Sequence, residues 1–241
     1  MTSVLDSQLS KDFLIQTRAL SKSYSGRKAL NDVNLDLQKG RIIGLCGPNG
    51  SGKTTLIKIL VGLLRDYDGE IKINDRHVGY ESLPYISYLP DTTYFEKSMK
   101  GTQCIALFED MYQDFDKAKM LELCKLLDVN PEDSFKIMSK GMQEKFQLAL
   151  VLSRNALIYL LDEPIGGVDP ASREKIMNTI LSSYAKNSLL LISTHLISDI
   201  EPVLDEVIFL KNGSVELHED CDTLRQREQK SVDAYFREVF R

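Results

Sequence analysis

Apolar and polar residues alternate along the first part of this chain. Phe13-Leu14-Ile15-Gln16-Thr17-Arg18-Ala19-Leu20 and Ala29-Leu30-Asn31-Asp32-Val33-Asn34-Leu35-Asp36-Leu37 carry the period of two expected of half-buried strands, and Gln38-Lys39-Gly40 closes the second. An apolar run, Arg41-Ile42-Ile43-Gly44-Leu45-Cys46, then predicts a strand, and Leu56-Ile57-Lys58-Ile59-Leu60 a helix. After the turn Asp66-Tyr67-Asp68-Gly69, the alternation in Glu70-Ile71-Lys72-Ile73-Asn74 predicts a short strand that joins the N-terminal strand layer. From about 98 to 129 the spacing becomes helical, with Ile105, Phe108, Met111 and Tyr112 on one face and Met120, Leu123, Leu126 and Leu127 on another. This stretch is read as an inserted helical subdomain over approximately 92–145.

Helical spacing resumes over 143–153. It is followed by the unbroken apolar run Leu157-Ile158-Tyr159-Leu160-Leu161, which stops at Asp162-Glu163-Pro164, and a second run, Leu189-Leu190-Leu191-Ile192-Ser193-Thr194, stops at His195. Runs so short and so apolar suit strands buried on both faces of a parallel sheet, with 172–184 as the crossover helix between them. Right-handed strand–helix–strand units of this kind build a doubly wound sheet that binds ligands at the carboxyl ends of its strands. Lys53, Asp162, Glu163 and His195 are therefore expected at one edge. The tail, 222–241, has helical spacing in Leu224, Val232, Tyr235, Phe236 and Val239 and is expected to pack back on the body, its charged stretch 225–230 forming a solvated face.

With 241 residues, 43% of them hydrophobic, the chain can bury a core of its own, so 1–241 is read as a single domain. A net charge of −5 gives no electrostatic case for a nucleic-acid partner. Cys46, Cys104, Cys124 and Cys221 lie far apart without metal-ligand spacing, as expected of reduced thiols in a cytosolic protein. No apolar stretch approaches the roughly 20 residues that span a bilayer. Met1-Thr2-Ser3-Val4-Leu5-Asp6 lacks the pattern of a leader, so the chain is expected to be neither secreted nor membrane-spanning.

The chemistry concentrates in Gly47-Pro48-Asn49-Gly50-Ser51-Gly52-Lys53-Thr54, set between a strand and a helix. A loop of this spacing turns backbone N–H groups inward as an anion nest, and the following helix aims its positive dipole end at the same point. Polyphosphate is the natural guest, with Lys53 reaching the terminal phosphates and the Thr54 hydroxyl ligating Mg²⁺. A Gly-rich turn that merely closes a strand–helix unit does not require Gly-Lys-Thr at the helix start. Asp162 and Glu163 at a strand end also suit an ordinary polar exit from the core, but after a phosphate loop they point to phosphate chemistry.

With these landmarks in order, the chain resembles the ATP-binding cassette ATPases, the nucleotide-binding subunits of ABC transporters, over essentially its whole length. The resemblance implies an α/β P-loop NTPase fold: a mostly parallel core sheet flanked by helices, an N-terminal antiparallel β layer and an inserted helical subdomain. It implies ATP and Mg²⁺, with Gly47, Pro48, Asn49, Gly50, Ser51, Gly52, Lys53, Thr54 and Thr55 around the phosphates. Tyr24 sits where the family stacks an aromatic ring on adenine; a tyrosine packed in the strand layer is the alternative. Asp162 resembles the Mg²⁺-linked carboxylate, Glu163 the general base and His195 the switch histidine that contacts the γ-phosphate.

Met138-Ser139-Lys140-Gly141-Met142-Gln143 stands in place of the family's Leu-Ser-Gly-Gly-Gln signature. By resemblance, Ser139, Lys140, Gly141 and Met142 meet the nucleotide held by the other protomer; a plain helix cap by Ser139 is the alternative. Lys140 and Met142 depart from the family's glycine and glutamine. Asp91, in Tyr88-Leu89-Pro90-Asp91, stands in place of the usual glutamine, and the resemblance implies that it reaches the metal directly or through water. The resemblance likewise implies that Asp169, in Ile165-Gly166-Gly167-Val168-Asp169-Pro170, makes the contact between protomers.

The resemblance further implies a homodimer or heterodimer of ATPase subunits on the inner face of the cell membrane, docked on transmembrane permease subunits through the surface around 94–112. The variant signature is most similar to the branch with ABC-2-type permeases that exports peptides, antibiotics or lipids. Two other readings stand beside transport: an ATPase of this family acting on a non-transport partner, and an ATP-sensing module with little hydrolysis.

Overall fold

The computed structural model describes residues 13–241; the leader reading of residues 1–6 lies outside them. The N-terminal alternation folds into an antiparallel hairpin of β1 (Phe13–Tyr24) and β2 (Arg27–Gln38), and β4 (Asp68–Ile73) and β5 (Arg76–His77) extend it. The sheet order is β2-β1-β4-β5. The second sheet contains β3 (Ile42–Cys46), β6 (Ile86–Leu89), β7 (Ile158–Asp162), β8 (Leu189–Thr194), β9 (Glu206–Lys211) and β10 (Ser214–Asp220) in the order β10-β9-β3-β8-β7-β6. Its strands are parallel except for β10, which pairs antiparallel with β9 at the edge.

The apolar runs are continuous because both faces of this sheet are covered. Ile158 and Leu160, like Leu189 and Leu191, pack toward the antiparallel layer together with Leu56, Ile57, Ile59 and Leu60 of α1 (Lys53–Leu60). Tyr159 and Leu161, like Leu190 and Ile192, pack toward the remaining helices. Period-two alternation thus persists, with an apolar residue at each position because neither face meets water.

Three helices fill the connection from β6 to β7: α2 (Gly101–Met111), α3 (Lys117–Leu126) and α4 (Lys140–Leu152). Met111 and Leu126, expected on buried faces, are exposed. Each is the last residue of its helix, and the next residues, Tyr112 and Leu127, carry the core contact instead. The fourth helix starts at Lys140, three residues before its apolar spacing does, because the Ser139 hydroxyl accepts the Met142 N–H at 3.2 Å. Arg154, 2% exposed, ties this region to β6: it pairs with Asp114 at 2.9 Å, donates to the carbonyls of Pro84 and Ile86, and stacks 3.8 Å over Tyr112.

The crossover from β7 to β8 is α5 (Pro170–Ser183), and α6 (Ile197–Ile200) follows β8. Sequence spacing had not suggested β9 and β10; they turn on Asn212-Gly213, both at positive φ (50° and 84°), as a two-residue hairpin requires. The tail forms two helices, α7 (Cys221–Glu228) and α8 (Val232–Val239), interrupted at Gln229, whose φ of 53° ends the first. Tyr235, Phe236 and Phe240 close around Phe209 of β9.

Candidate functional site

The central strand β3 delivers the phosphate loop, and the loop is tight. A Cβ on Gly47 would lie 2.4 Å from the Leu210 carbonyl oxygen and 2.5 Å from the Ser51 hydroxyl. Gly52 sits at φ 112°, where an added Cβ would meet the Ala29 carbonyl oxygen at 2.5 Å. Only glycine fits at these two positions. Lys53 is buried, and its Nζ donates to the carbonyls of Gly47 at 2.7 Å and Pro48 at 3.4 Å, with the nearer Glu163 oxygen 3.8 Å away. Burial pushes its pKa below the usual lysine value, against the charges of Glu163 and Asp162. The first turn of α1 has no acidic residue and the Ser51 hydroxyl is buried without a partner. A polyanion therefore meets a desolvated cation, a free hydroxyl and a positive helix end.

Beside the loop, β7 and β8 end in register, Asp162 opposite Ser193. Asp162 is 1% exposed; one carboxylate oxygen accepts from the Ser193 hydroxyl and the other has no partner. Burial raises its pKa, the hydroxyls of Ser193 and Thr54 pull it down, and the charges of Asp91 and Glu163 push it up again. A buried carboxylate with one oxygen unpartnered suits a cation. The Tyr88 hydroxyl of β6 is also buried without a partner, its pKa raised by burial and by the nearby Asp162.

Glu163 sits at φ 52°, a left-handed conformation costing about 1–3 kcal/mol for a residue with a Cβ. The backbone oxygen and hydroxyl of Ser193 both accept its N–H, each at 3.1 Å, and hold it there. Its carboxylate then reaches His195, whose Nδ1 lies 3.0 and 3.1 Å from the two oxygens. Ser193 was absent from the sequence-derived set. The signal available was its place two residues before His195 in a strand neighbouring Asp162.

A cavity of about 510 Å³ opens at this edge, bounded by Asn49, Asp91, Lys140, Glu144, Glu163 and His195 among others. Gln147, 3% exposed, and Glu144 each have a buried oxygen without a partner on its wall. The oxygen donors of Thr54, Asp162 and Asp91 suit a hard divalent cation. Among the described residues no three His, Cys, Asp or Glu side chains are grouped around a metal position.

Of the other expected residues, Asn49, Asp91 and Lys140 line this cavity. Tyr24, at the end of β1, is 45% exposed. Ser139 and Asp169 each cap their own helix, Asp169 accepting the Ser172 N–H at 3.1 Å. Lys140 pairs with Glu144 at 3.6 Å, Gly141 has open space where a Cβ would go, and Met142 packs against the helix-side core.

The family described as ABC transporter matches residues 30–166. An uncharacterized ABC transporter ATP-binding protein of Bacillus subtilis, YcbN, is 30% identical over 207 residues, 83% of this chain and 67% of its own length. The lantibiotic transport ATP-binding protein SrtF of Streptococcus pyogenes is 28% identical over 213 residues, 87% of this chain and 92% of its own. A solved structure described as an ATP binding subunit of an ABC transporter superposes with a TM-score of 0.83 at 26% identity, over 95% of this chain and all of its own.

Proposed function

The chain belongs to the ABC transporter family as an ATP-binding subunit, and we propose that the edge holding Lys53, Asp162, Glu163 and His195 is where it hydrolyses ATP. The observation that carries this reading is the held geometry of Glu163: a left-handed residue fixed by Ser193, 3.0 Å from His195 and 3.8 Å from Lys53. In that position Glu163 orients water for in-line attack, and His195 holds the Glu163 carboxylate and meets the γ-phosphate. Lys53, with the backbone of 47–55, offsets phosphate charge. Thr54, Asp162 and Asp91 would hold Mg²⁺, which neutralises charge on the transferred phosphoryl group. Tyr24 stacks on adenine.

Ser139 and its neighbours through Met142 serve the nucleotide of a second cassette, with Asp169 at the contact between protomers. Two cassettes then close around two ATP molecules and reopen after hydrolysis. Among the described residues no helix is long and apolar enough to cross a membrane. The transport path is proposed to lie in separate membrane subunits. The chain is proposed to dock on these from the inner face of the membrane, through the surface around 94–112 of the helical region. The similarity to a lantibiotic transport protein supports export of a peptide-like, antibiotic or lipid-like substrate.

The test is ATP-dependent dimerisation of Glu163→Gln by size-exclusion chromatography, alongside phosphate release by the wild type. A dimer that forms only with Mg²⁺-ATP supports the reading. A variant that stays monomeric beside an actively hydrolysing wild type removes the paired-cassette arrangement, and a wild type that releases no phosphate alone or with a partner removes the hydrolytic reading.

A further inference from the structure

Lys22 occupies a place that the fold alone does not require to be charged. It is 7% exposed, on the inner side of β1, where Leu20 two residues before it is fully buried. Burying an ammonium is costly without compensation. Its carboxylate partner, Asp66 at 2.9 Å, lies in the segment after α1 and is fully exposed, so solvent screens that pair. The other group facing the ammonium is Tyr24: Nζ lies 5.1 Å from the ring centroid, inside cation–π range.

We infer that Lys22 is a positioning residue for the nucleobase, holding the Tyr24 ring from one face so that adenine stacks on the other. This rests on the proposal that Tyr24 receives adenine. The ring is 45% exposed while one face is covered by the cation, so its stacking surface is the opposite face. The ammonium acts in two ways. It fixes the ring before the nucleotide arrives, which removes an ordering cost from binding. It also draws electron density from the ring, which favours stacking against an electron-rich purine. Through Asp66 the same ammonium also reaches from the end of β1 to the segment after α1.

The experiment compares ATP with inorganic tripolyphosphate, which carries the charge but no base, by isothermal titration calorimetry. Lys22→Met is expected to weaken ATP binding about 2- to 5-fold, the range of exposed cation–π contacts. Tripolyphosphate binding stays unchanged, and Lys22→Arg keeps the wild-type ATP affinity. Adding Lys22→Met to Tyr24→Ala costs nothing further, because the ring through which Lys22 acts is gone. Equal losses for ATP and tripolyphosphate overturn the inference, as does an unchanged ATP affinity in Lys22→Met when Tyr24→Ala has lost affinity. An unchanged affinity in Tyr24→Ala instead removes the adenine reading itself. Should the methionine variant misfold, Lys22→Gln replaces it with the same expectations.

Discussion

The carboxyl edge of the parallel sheet and the head of α4 border one cavity, yet they differ in what their side chains already hold. At the sheet edge, Lys53, Glu163, Ser193, Asp162 and His195 are linked to one another by hydrogen bonds and ion pairs that join three strand ends. At the helix head, Ser139 serves the N–H of Met142 and Lys140 pairs with Glu144, all within one helix. Among the described residues no hydrogen bond or ion pair links 139–142 to the phosphate loop. The first region is self-supporting within a single chain. The second has only a local role here, and its proposed ligand belongs to another copy.

The largest effect expected is at the sheet edge. Glu163→Gln should lower phosphate release by about 10²- to 10⁴-fold while nucleotide binding persists, since only the proton acceptor is lost. Comparable losses of binding and turnover would mean that Glu163 holds the nucleotide rather than the water. Lys53→Met comes next. Removing a desolvated cation from the phosphates should weaken ATP binding about 10- to 100-fold in a calorimetric titration.

Ser139→Asn bears directly on the contrast, because asparagine caps a helix as well as serine does but presents a different group outward. Turnover is expected to fall about 10-fold with thermal stability unchanged. Mixing Ser139→Asn chains with Lys53→Met chains should then recover phosphate release above either alone, since each mixed pair contains one intact composite site. No recovery would place the serine and the lysine on one nucleotide within a single chain. The smallest effect is Ser139→Ala, expected to cost about 1 kcal/mol of stability in denaturant unfolding through the lost cap. Less than a few tenths would leave the Ser139 cap without energetic weight.

Much of the site was legible because its residues sit at ends of elements with clear local patterns. Asp162-Glu163 follows one apolar run, His195 another, and Gly-Lys-Thr opens a helix. What escaped depends on pairing across distance. Ser193 looked like one more strand residue until parallel register set it beside Asp162. Lys22 lies beyond the alternating stretch 13–20 read from the sequence, and only the approach of Tyr24 and Asp66 gives it a role. The β9–β10 hairpin has a sequence signal in Asn212-Gly213, and its strand β9 forms the wall against which Gly47 packs.

The sequence by itself determined strands β1 to β4, β7 and β8, the phosphate loop and the sheet edge on which the chemical residues gather. Those features follow from period, short apolar runs and turn residues, which act over a few neighbouring positions. Tertiary structure alone decided the order β10-β9-β3-β8-β7-β6, the left-handed backbone of Glu163 and the place of Lys22 beneath Tyr24. It also decided which apolar residues stay exposed, as Met111 and Leu126 do. Each of these is fixed by contacts between segments far apart in sequence, where packing and register override what any local pattern favours.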